Sequence, residues 1–195
     1  VKFALPNTNL LKSNLRNYMD DVTTVLGDGK HLRLVSIRGW EYVERRNITG
    51  VVGIVAITDD GKLLLVEQYR SPLNRRVVEI PAGLVGDEPG HENESLLDAA
   101  NRELQEETGY HAANISLLVS GPSSAGMSNE VITLCLATGL KKRSSGGGVG
   151  GEDIQVHEVA LPYVKVRVQE WMAEGTLVDL KVYAAQHFAA IMNRR

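Results

Sequence analysis

Sulfur chemistry is nearly absent from this sequence: 195 residues contain a single cysteine, Cys135. One cysteine excludes an internal disulfide and makes a reducing compartment, cytoplasmic or other, the default. Cys135 sits in the apolar run 131–137, where a thiol acts as a small hydrophobe of a strand rather than as a nucleophile. No apolar stretch reaches membrane-spanning length and no secretory signal is visible, so no membrane partner is expected. Organelle targeting stays open, because the sequence begins at Val1. The formal charge is only −3, without the basic stripe of a phosphate-backbone binder, so nucleic acid is not expected as a partner either. A small anionic ligand, which needs only a few local cations or a metal, is compatible with that balance. The five histidines lack metal spacing such as H-E-x-x-H, and there is no internal repeat.

The chain is long enough for one substantial core plus a small accessory sheet. Residues 22–26 and 32–37 read as strands around the turn Gly27-Asp-Gly-Lys30, and Trp40 to Arg46 continues the pattern. This gives an N-terminal strand region, 1–48, that covers the main core or pairs with another subunit. The rest, 49–195, reads as the main domain. Val51 to Ile57 and Leu63 to Gln68 flank Thr58-Asp-Asp-Gly-Lys62, a strong hairpin signal. Further strands are predicted at 77–80, 115–119, 131–137 and 154–159. From Ser95 to Thr108 the period is helical, with Leu96, Leu97, Ala100 and Leu104 as an apolar stripe and Gly109 as the stop. Two helices follow Pro162; the second is predicted to bury Leu180, Ala184, Phe188 and Ile191. Strands with a central helix and terminal helices make an α+β architecture rather than a repeating βαβ wind.

The informative stretch is Arg102-Glu-Leu-Gln-Glu-Glu-Thr-Gly-Tyr110. On a helix, Glu103 and Glu107 share a face at i,i+4, and Glu106 lies at i,i+3 from Glu103. These carboxylates repel one another and, near the C-terminus, oppose the helix dipole. Arg102 relieves part of this. A cation relieves the rest, and all-oxygen ligands favour Mg²⁺ or Mn²⁺ over zinc. The competing reading is a solvated acidic face, the usual meaning of a charge run. The apolar strand end and glycine loop Ile80-Pro-Ala-Gly-Leu84 weigh towards a site, because free backbone groups there can close over the same helix.

Gly83 to Tyr110 resembles the Nudix box. Glu94 lies at the family's gap before Arg102, and Arg102, Glu103, Leu104, Glu106, Glu107 and Gly109 all match. The spacing between Gly83 and Glu94 is about twice the family's. The extra residues fall in the turn-like 86–91 segment, which reads as a longer loop. Over roughly residues 38–190 the chain is similar to the ADP-ribose pyrophosphatase branch, through Gly39 to Arg45, Glu67 to Arg70, Val78 to Leu84, Ser124 to Glu130 and Val178 to Tyr183. The resemblance implies an α/β/α sandwich with a mixed sheet and an N-terminal antiparallel strand extension. It implies a homodimer, since that extension often exchanges between subunits in this branch.

The implied reaction is Mg²⁺-dependent (or Mn²⁺-dependent) hydrolysis of ADP-ribose or another nucleoside diphosphate sugar to a nucleoside monophosphate and a sugar phosphate. By resemblance, Ala82 through its carbonyl and Glu103, Glu106 and Glu107 hold metal. Arg70 binds phosphate, and Trp40 stacks on the nucleobase unless it is an ordinary core tryptophan. Arg45, Gly83, Leu84 and Glu130 also belong to the implied substrate site. The general base is Glu152, from Gly151-Glu-Asp-Ile-Gln155, or else the metals activate water together with Glu106; some relatives carry another acid where this chain has Gly150. The G-x-G-x-x-G at Gly146, Gly148 and Gly151 precedes a strand rather than a helix, so a mobile lid is predicted rather than a dinucleotide cradle. Two rivals stand beside this reading: an enzyme clearing modified nucleotides, and a non-catalytic nucleotide-sugar sensor.

Overall fold

A computed structural model describes residues 22–192, so residues 1–21 of the N-terminal region lie outside the described part. Strands β1 (Thr24–Asp28), β2 (Leu32–Ile37) and β3 (Trp40–Arg45) pair antiparallel in a sheet of their own. Its attachment to the rest runs through β3. The Val43 amide donates to Met127 O at 2.9 Å, and Val43 bridges Ser128 in parallel. The sequence-predicted N-terminal sheet is therefore present, and β1 is exposed along its whole length.

The next strands are β4 (Gly50–Ala56), β5 (Lys62–Arg70), β6 (Arg75–Glu79) and β7 (Ala82–Val85). Helix α1 (Leu96–Thr108) then leads into two long strands, β8 (Tyr110–Pro122) and β9 (Val131–Lys142). After β10 (Gln155–Ala160) come helix α2 (Val164–Ala173), the short β11 (Leu177–Val178) and helix α3 (Leu180–Met192). Two four-stranded mixed sheets result, in the orders β7-β4-β9-β8 and β10-β5-β6-β11.

The apolar content of β4 explains its central place. Val52, Ile54 and Ala56 pack with Ala99, Ala100 and Leu104 of α1, whereas Val55 joins the cluster of Val164, Val168 and Trp171 on α2 and Val182 and Ala185 on α3. Alternate residues of a strand point to opposite faces, so a strand buried on both must be apolar throughout. Helices lie on both sides of the strand layer, which is the α/β/α arrangement expected from the sequence. Cys135 is buried in β9, and burial pushes its thiol up to about 11.

Two sequence expectations are corrected. The Thr58–Lys62 turn forms, with the Thr58 amide donating to Lys62 O at 2.9 Å. Beyond a single Ile57–Leu63 bridge, however, β4 and β5 part into different sheets. Turn chemistry is local; the partners of β4, which are β7 and β9, are selected by burial on both faces. In α3 the buried residues are Val182, Ala185 and Ala189, while Leu180 is 82% exposed. Ala184 and Phe188 pack only at the margin of the core.

Candidate active site

Helix α1 is placed by its ends. The Ser95 hydroxyl accepts from the Asp98 amide at 3.2 Å, and Gly109 closes the helix at φ 77° with its amide donating to Gln105 O. With those limits fixed, Ala99, Ala100 and Leu104 enter the core and Glu103, Glu106 and Glu107 line a cleft of about 360 Å³. Gly83 of β7 lies against this acidic row: a Cβ there would come within 1.8 Å of Glu103 Cδ. Any side chain there would push the Glu103 carboxylate out of its present position.

The carboxylates are strongly desolvated. Glu107 is 6% exposed, and burial raises its pKa well above the usual carboxylate range. The Ala82 amide, donating to Glu107 Oε2 at 3.0 Å, opposes the rise, while the charges of Glu103, Glu152 and Glu79 add to it. Burial pushes Glu103 up to about 7, and Arg102 offsets only part of this. Glu106 is raised for the same reason.

Arg102 is the hub of the cleft's edge. It donates to Glu94 at 2.7 and 3.2 Å, to Glu103 at 2.9 Å, to Glu106 at 3.4 Å and to Leu84 O at 3.0 Å. The Gly86 amide adds a bond to Glu94 at 3.2 Å. The long 86–91 loop thus leaves the Glu94–Arg102 pairing intact, and it brings Asp87 and Glu88 to the cleft.

The cleft's cations are all paired. Arg70 makes two bonds of 2.6 Å to buried Glu79, Arg45 pairs with Glu130, and Lys181 Nζ lies 2.6 Å from Asp179. Glu152 closes the site from a late loop, its Oε2 accepting from the Val149 amide at 3.1 Å. Arg76 fixes the following residue, donating to the Asp153 carboxylate at 2.8 Å and its carbonyl at 3.3 Å.

The glycine run preceding Glu152, expected to be a mobile lid, is hydrogen-bonded to the end of α1 and acts there as a clasp. The Gly147 amide donates to Glu107 O at 2.9 Å and the Gly148 amide to Glu106 O at 3.0 Å, supplying partners for carbonyls that a helix end leaves unmet. Gly146 packs so closely that a Cβ would stand 2.7 Å from Glu107 O.

Every site residue named from the sequence lines this cleft except Trp40. Trp40 is 63% exposed, which excludes the core reading; its indole donates to Gly126 O at 3.2 Å. Sequence reasoning missed Gln68, Glu79, Asp87, Glu88 and Lys181. The signal for Glu79 was an acid within an apolar strand, and that for Lys181 was its place just after Asp179 at a helix start.

Among the described residues, no group of three or more His, Cys, Asp and Glu side chains stands assembled to hold a metal. The donor chemistry nevertheless suits a hard divalent cation: all-oxygen, desolvated and crowded with negative charge.

A mixed strand layer between helices, with an acidic helix facing a glycine loop, defines the class to which this chain belongs. The NUDIX domain family matches residues 48–173, and the chain is a member of that family. It is 38% identical over 121 residues to the methanol dehydrogenase activator of Bacillus methanolicus, covering 60% of this chain and 63% of that protein. It is 43% identical over 93 residues to the ADP-ribose pyrophosphatase of Bacillus subtilis, covering 47% of this chain and 46% of that one. The chain thus spans about half to under two thirds of the length of these relatives. A solved structure described as an ADP compounds hydrolase superposes with a TM-score of 0.59 at 24% identity, over 76% of this chain and 80% of that one, and shares the fold. Among the described residues, no helix is long and apolar enough to cross a membrane.

Proposed function

We propose that this chain hydrolyses the diphosphate bond of ADP-ribose or another nucleoside diphosphate sugar, releasing a nucleoside monophosphate and a sugar phosphate. The observation that carries this reading is the charge pattern of one cleft, where desolvated Glu103 and Glu107 stand beside Arg45, Arg70 and Lys181. A pure binder of anions gains nothing from buried carboxylates, which repel the ligand. Relatives named ADP-ribose pyrophosphatase support the substrate class.

Glu103, Glu106, Glu107 and the Ala82 carbonyl would hold Mg²⁺ or Mn²⁺. When bound, such an ion supplies a lowered pKa for its water and charge compensation at the leaving phosphate. Arg45 and Arg70 orient the diphosphate, for which guanidinium geometry is suited. Gly83 and Leu84 shape the wall opposite Glu103, and Glu130 positions Arg45 through their ion pair. Glu152 takes the proton of the attacking water: one carboxylate oxygen is held by Val149, and the other is left for the water. Glu106, held by Arg102, shares in orienting it. Trp40, exposed on β3, offers a face for the nucleobase.

The division into a strand region, 1–48, and a hydrolase domain, 49–195, belongs to the same proposal. So does a homodimer, supported by the exposed apolar side chains of Val25, Leu26, Leu32 and Leu34 on β1 and β2. Light scattering should give twice the chain mass; a monomer mass at micromolar concentration rejects the dimer.

The deciding assay measures Mg²⁺-dependent nucleoside monophosphate release from ADP-ribose, ADP-glucose, GDP-mannose and UDP-glucose, with 8-oxo-dGTP as control. Chelator-sensitive cleavage of a diphosphate sugar is the expected outcome. Cleavage of the triphosphate alone moves the chain to nucleotide clearing, and binding without cleavage makes it a sensor.

A further inference from the structure

Glu152 is weakly constrained on the side from which the chain enters it. Gly150 and Gly151 precede it at φ 63° and 94°, both exposed, and a Cβ on either would meet nothing within 4 Å. Unpacked glycines pass little constraint to the residue that follows. The clasp at Gly147 and Gly148 lies beyond them. Within the turn, the Glu152 amide donates to Val149 O at 3.2 Å and the Val149 amide donates back to Glu152 Oε2 at 3.1 Å. On the exit side Ile154 is buried, and between it and Glu152 stands Asp153, the residue that Arg76 reaches.

Arg76, on β6, makes four contacts with one guanidinium. Nε donates to Glu67 Oε1 at 2.9 Å and Nη2 to Glu67 O at 3.0 Å; Nη1 donates to Asp153 Oδ2 at 2.8 Å and Nη2 to Asp153 O at 3.3 Å. The two ends of this bridge differ. The Glu67 side chain, on β5, is 13% exposed, and its other oxygen lies 3.0 Å from His157 Nε2 on β10. The His157 ring in turn meets buried Trp171 edge-on. The Asp153 side chain is 79% exposed, and an ion pair in that setting adds little to stability. The bridge is thus fixed at Glu67 and acts at Asp153. A planar fork suits the task, since it meets two carboxylates and two backbone carbonyls at once, which a lysine ammonium does not. We infer that Arg76 is a positioning residue: from the β5–β6 framework it holds the Asp153 peptide, and so sets the reach of the Glu152 carboxylate into the cleft. Arg76 itself does not line the cleft. This inference rests on the reading of Glu152 as the group that takes the proton of the attacking water. An ångström of misplacement at such a group lowers rate by on the order of 100-fold.

A double-mutant cycle on the Mg²⁺-dependent turnover of ADP-ribose tests it, with Arg76→Met, Glu152→Gln and the two combined. Thermal melting checks that each variant is folded, and Arg76→Lys carries the cycle if Arg76→Met is not. Arg76→Met is expected to lower kcat about tenfold or more at unchanged KM, and to lower it no further once Glu152 is replaced. Arg76→Lys keeps the charge without the fork and should not restore kcat. An unchanged kcat, a rise in KM alone, losses that multiply in the double variant, or full restoration by lysine overturns the assignment. Amide exchange gives a readout independent of turnover. In Arg76→Met the Val149 and Glu152 amides should exchange severalfold faster while Gly147 and Gly148 keep their rates; unchanged rates at Val149 and Glu152 overturn the clamp. Full turnover by Glu152→Gln rejects Glu152 as proton acceptor and with it the part of Arg76 in the reaction. A turnover that needs Glu152 but not Arg76 rejects the clamp alone. Should the unaltered chain cleave no diphosphate sugar, the hydrolysis reading falls and exchange alone decides whether Arg76 holds the turn.

Discussion

The acidic groups at the two ends of α1 are alike in chemistry and opposite in circumstance. Beside the first turn, Glu94 is buried but receives Arg102 and the Gly86 amide, and the arginine holds its carboxyl below the usual range. In the last turn, Glu107 is buried more deeply and has one backbone donor, and desolvation carries its pKa upward. Depth of burial and partner together distinguish the two acids: Glu94 has an arginine, whereas Glu107 is more deeply desolvated and has none. Near its start the cleft's framework is electrostatically satisfied. Near its end the same helix retains unbalanced negative charge, which a cation or a proton must meet.

The comparison can be broken most severely at Arg102, which serves both ends. Its side chain is 12% exposed and that of Glu94 5%, so Arg102→Met leaves a buried carboxylate without its cation. A loss of about 3–5 kcal/mol in denaturant unfolding is expected; a loss under 1 kcal/mol would mean that Glu94 has other partners. Glu107→Gln addresses the other end alone. Activity should fall on the order of 100-fold or more, as for groups that govern metal affinity, while the melting temperature holds or rises because a desolvated charge is gone. Equal loss of stability and activity would refute the division between the two ends.

A smaller effect separates the ends by pH, measured with chelator present. Glu94 has a lowered folded-state pKa, so its contribution is present above the unfolded value and is lost as pH falls through the folded one. Glu107 has a raised folded-state pKa, so its destabilisation is present above that pKa and is relieved as pH falls towards the unfolded value. Glu94→Gln should flatten the acid-side decline of stability, and Glu107→Gln should remove a gain on acidification. Identical pH slopes in both variants would contradict the assignment. The smallest expected change is Ser95→Ala, which removes the helix cap for about 1 kcal/mol without altering turnover beyond that loss; a large fall in kcat at unchanged stability would show that the cap reaches the site.

Local signals made α1 legible from the sequence: a 3.6-residue apolar stripe over 95–108 and a glycine stop at Gly109 set its limits to within a residue of those observed. The acidic row followed from those limits. The two-sided burial of β4 was also written in its composition, but its separation from β5 was not, because sheet partners are chosen by distant segments. The α3 face was misread because Leu180 begins the helix beyond the packed surface, leaving Val182, Ala185 and Ala189 to meet the core. Arg70 lay in a stretch that pointed to the site, yet its pairing with Glu79 depends on two strands meeting in space; the Lys181–Asp179 pair is local to the start of α3. The clasp was hidden for a related reason. A glycine-rich segment reads as freedom until its amides are seen to meet the carbonyls of another element.

That clasp has a kinetic consequence. Since Gly147 and Gly148 meet the last carbonyls of α1, lifting the whole segment away from the cleft uncovers the Glu106 and Glu107 carbonyls. Opening of this segment and fraying of the acidic helix are then expected as one cooperative event. In amide exchange, Gly147, Gly148 and the final turn of α1 should therefore lose protection together, at a common rate, as a single unfolding unit.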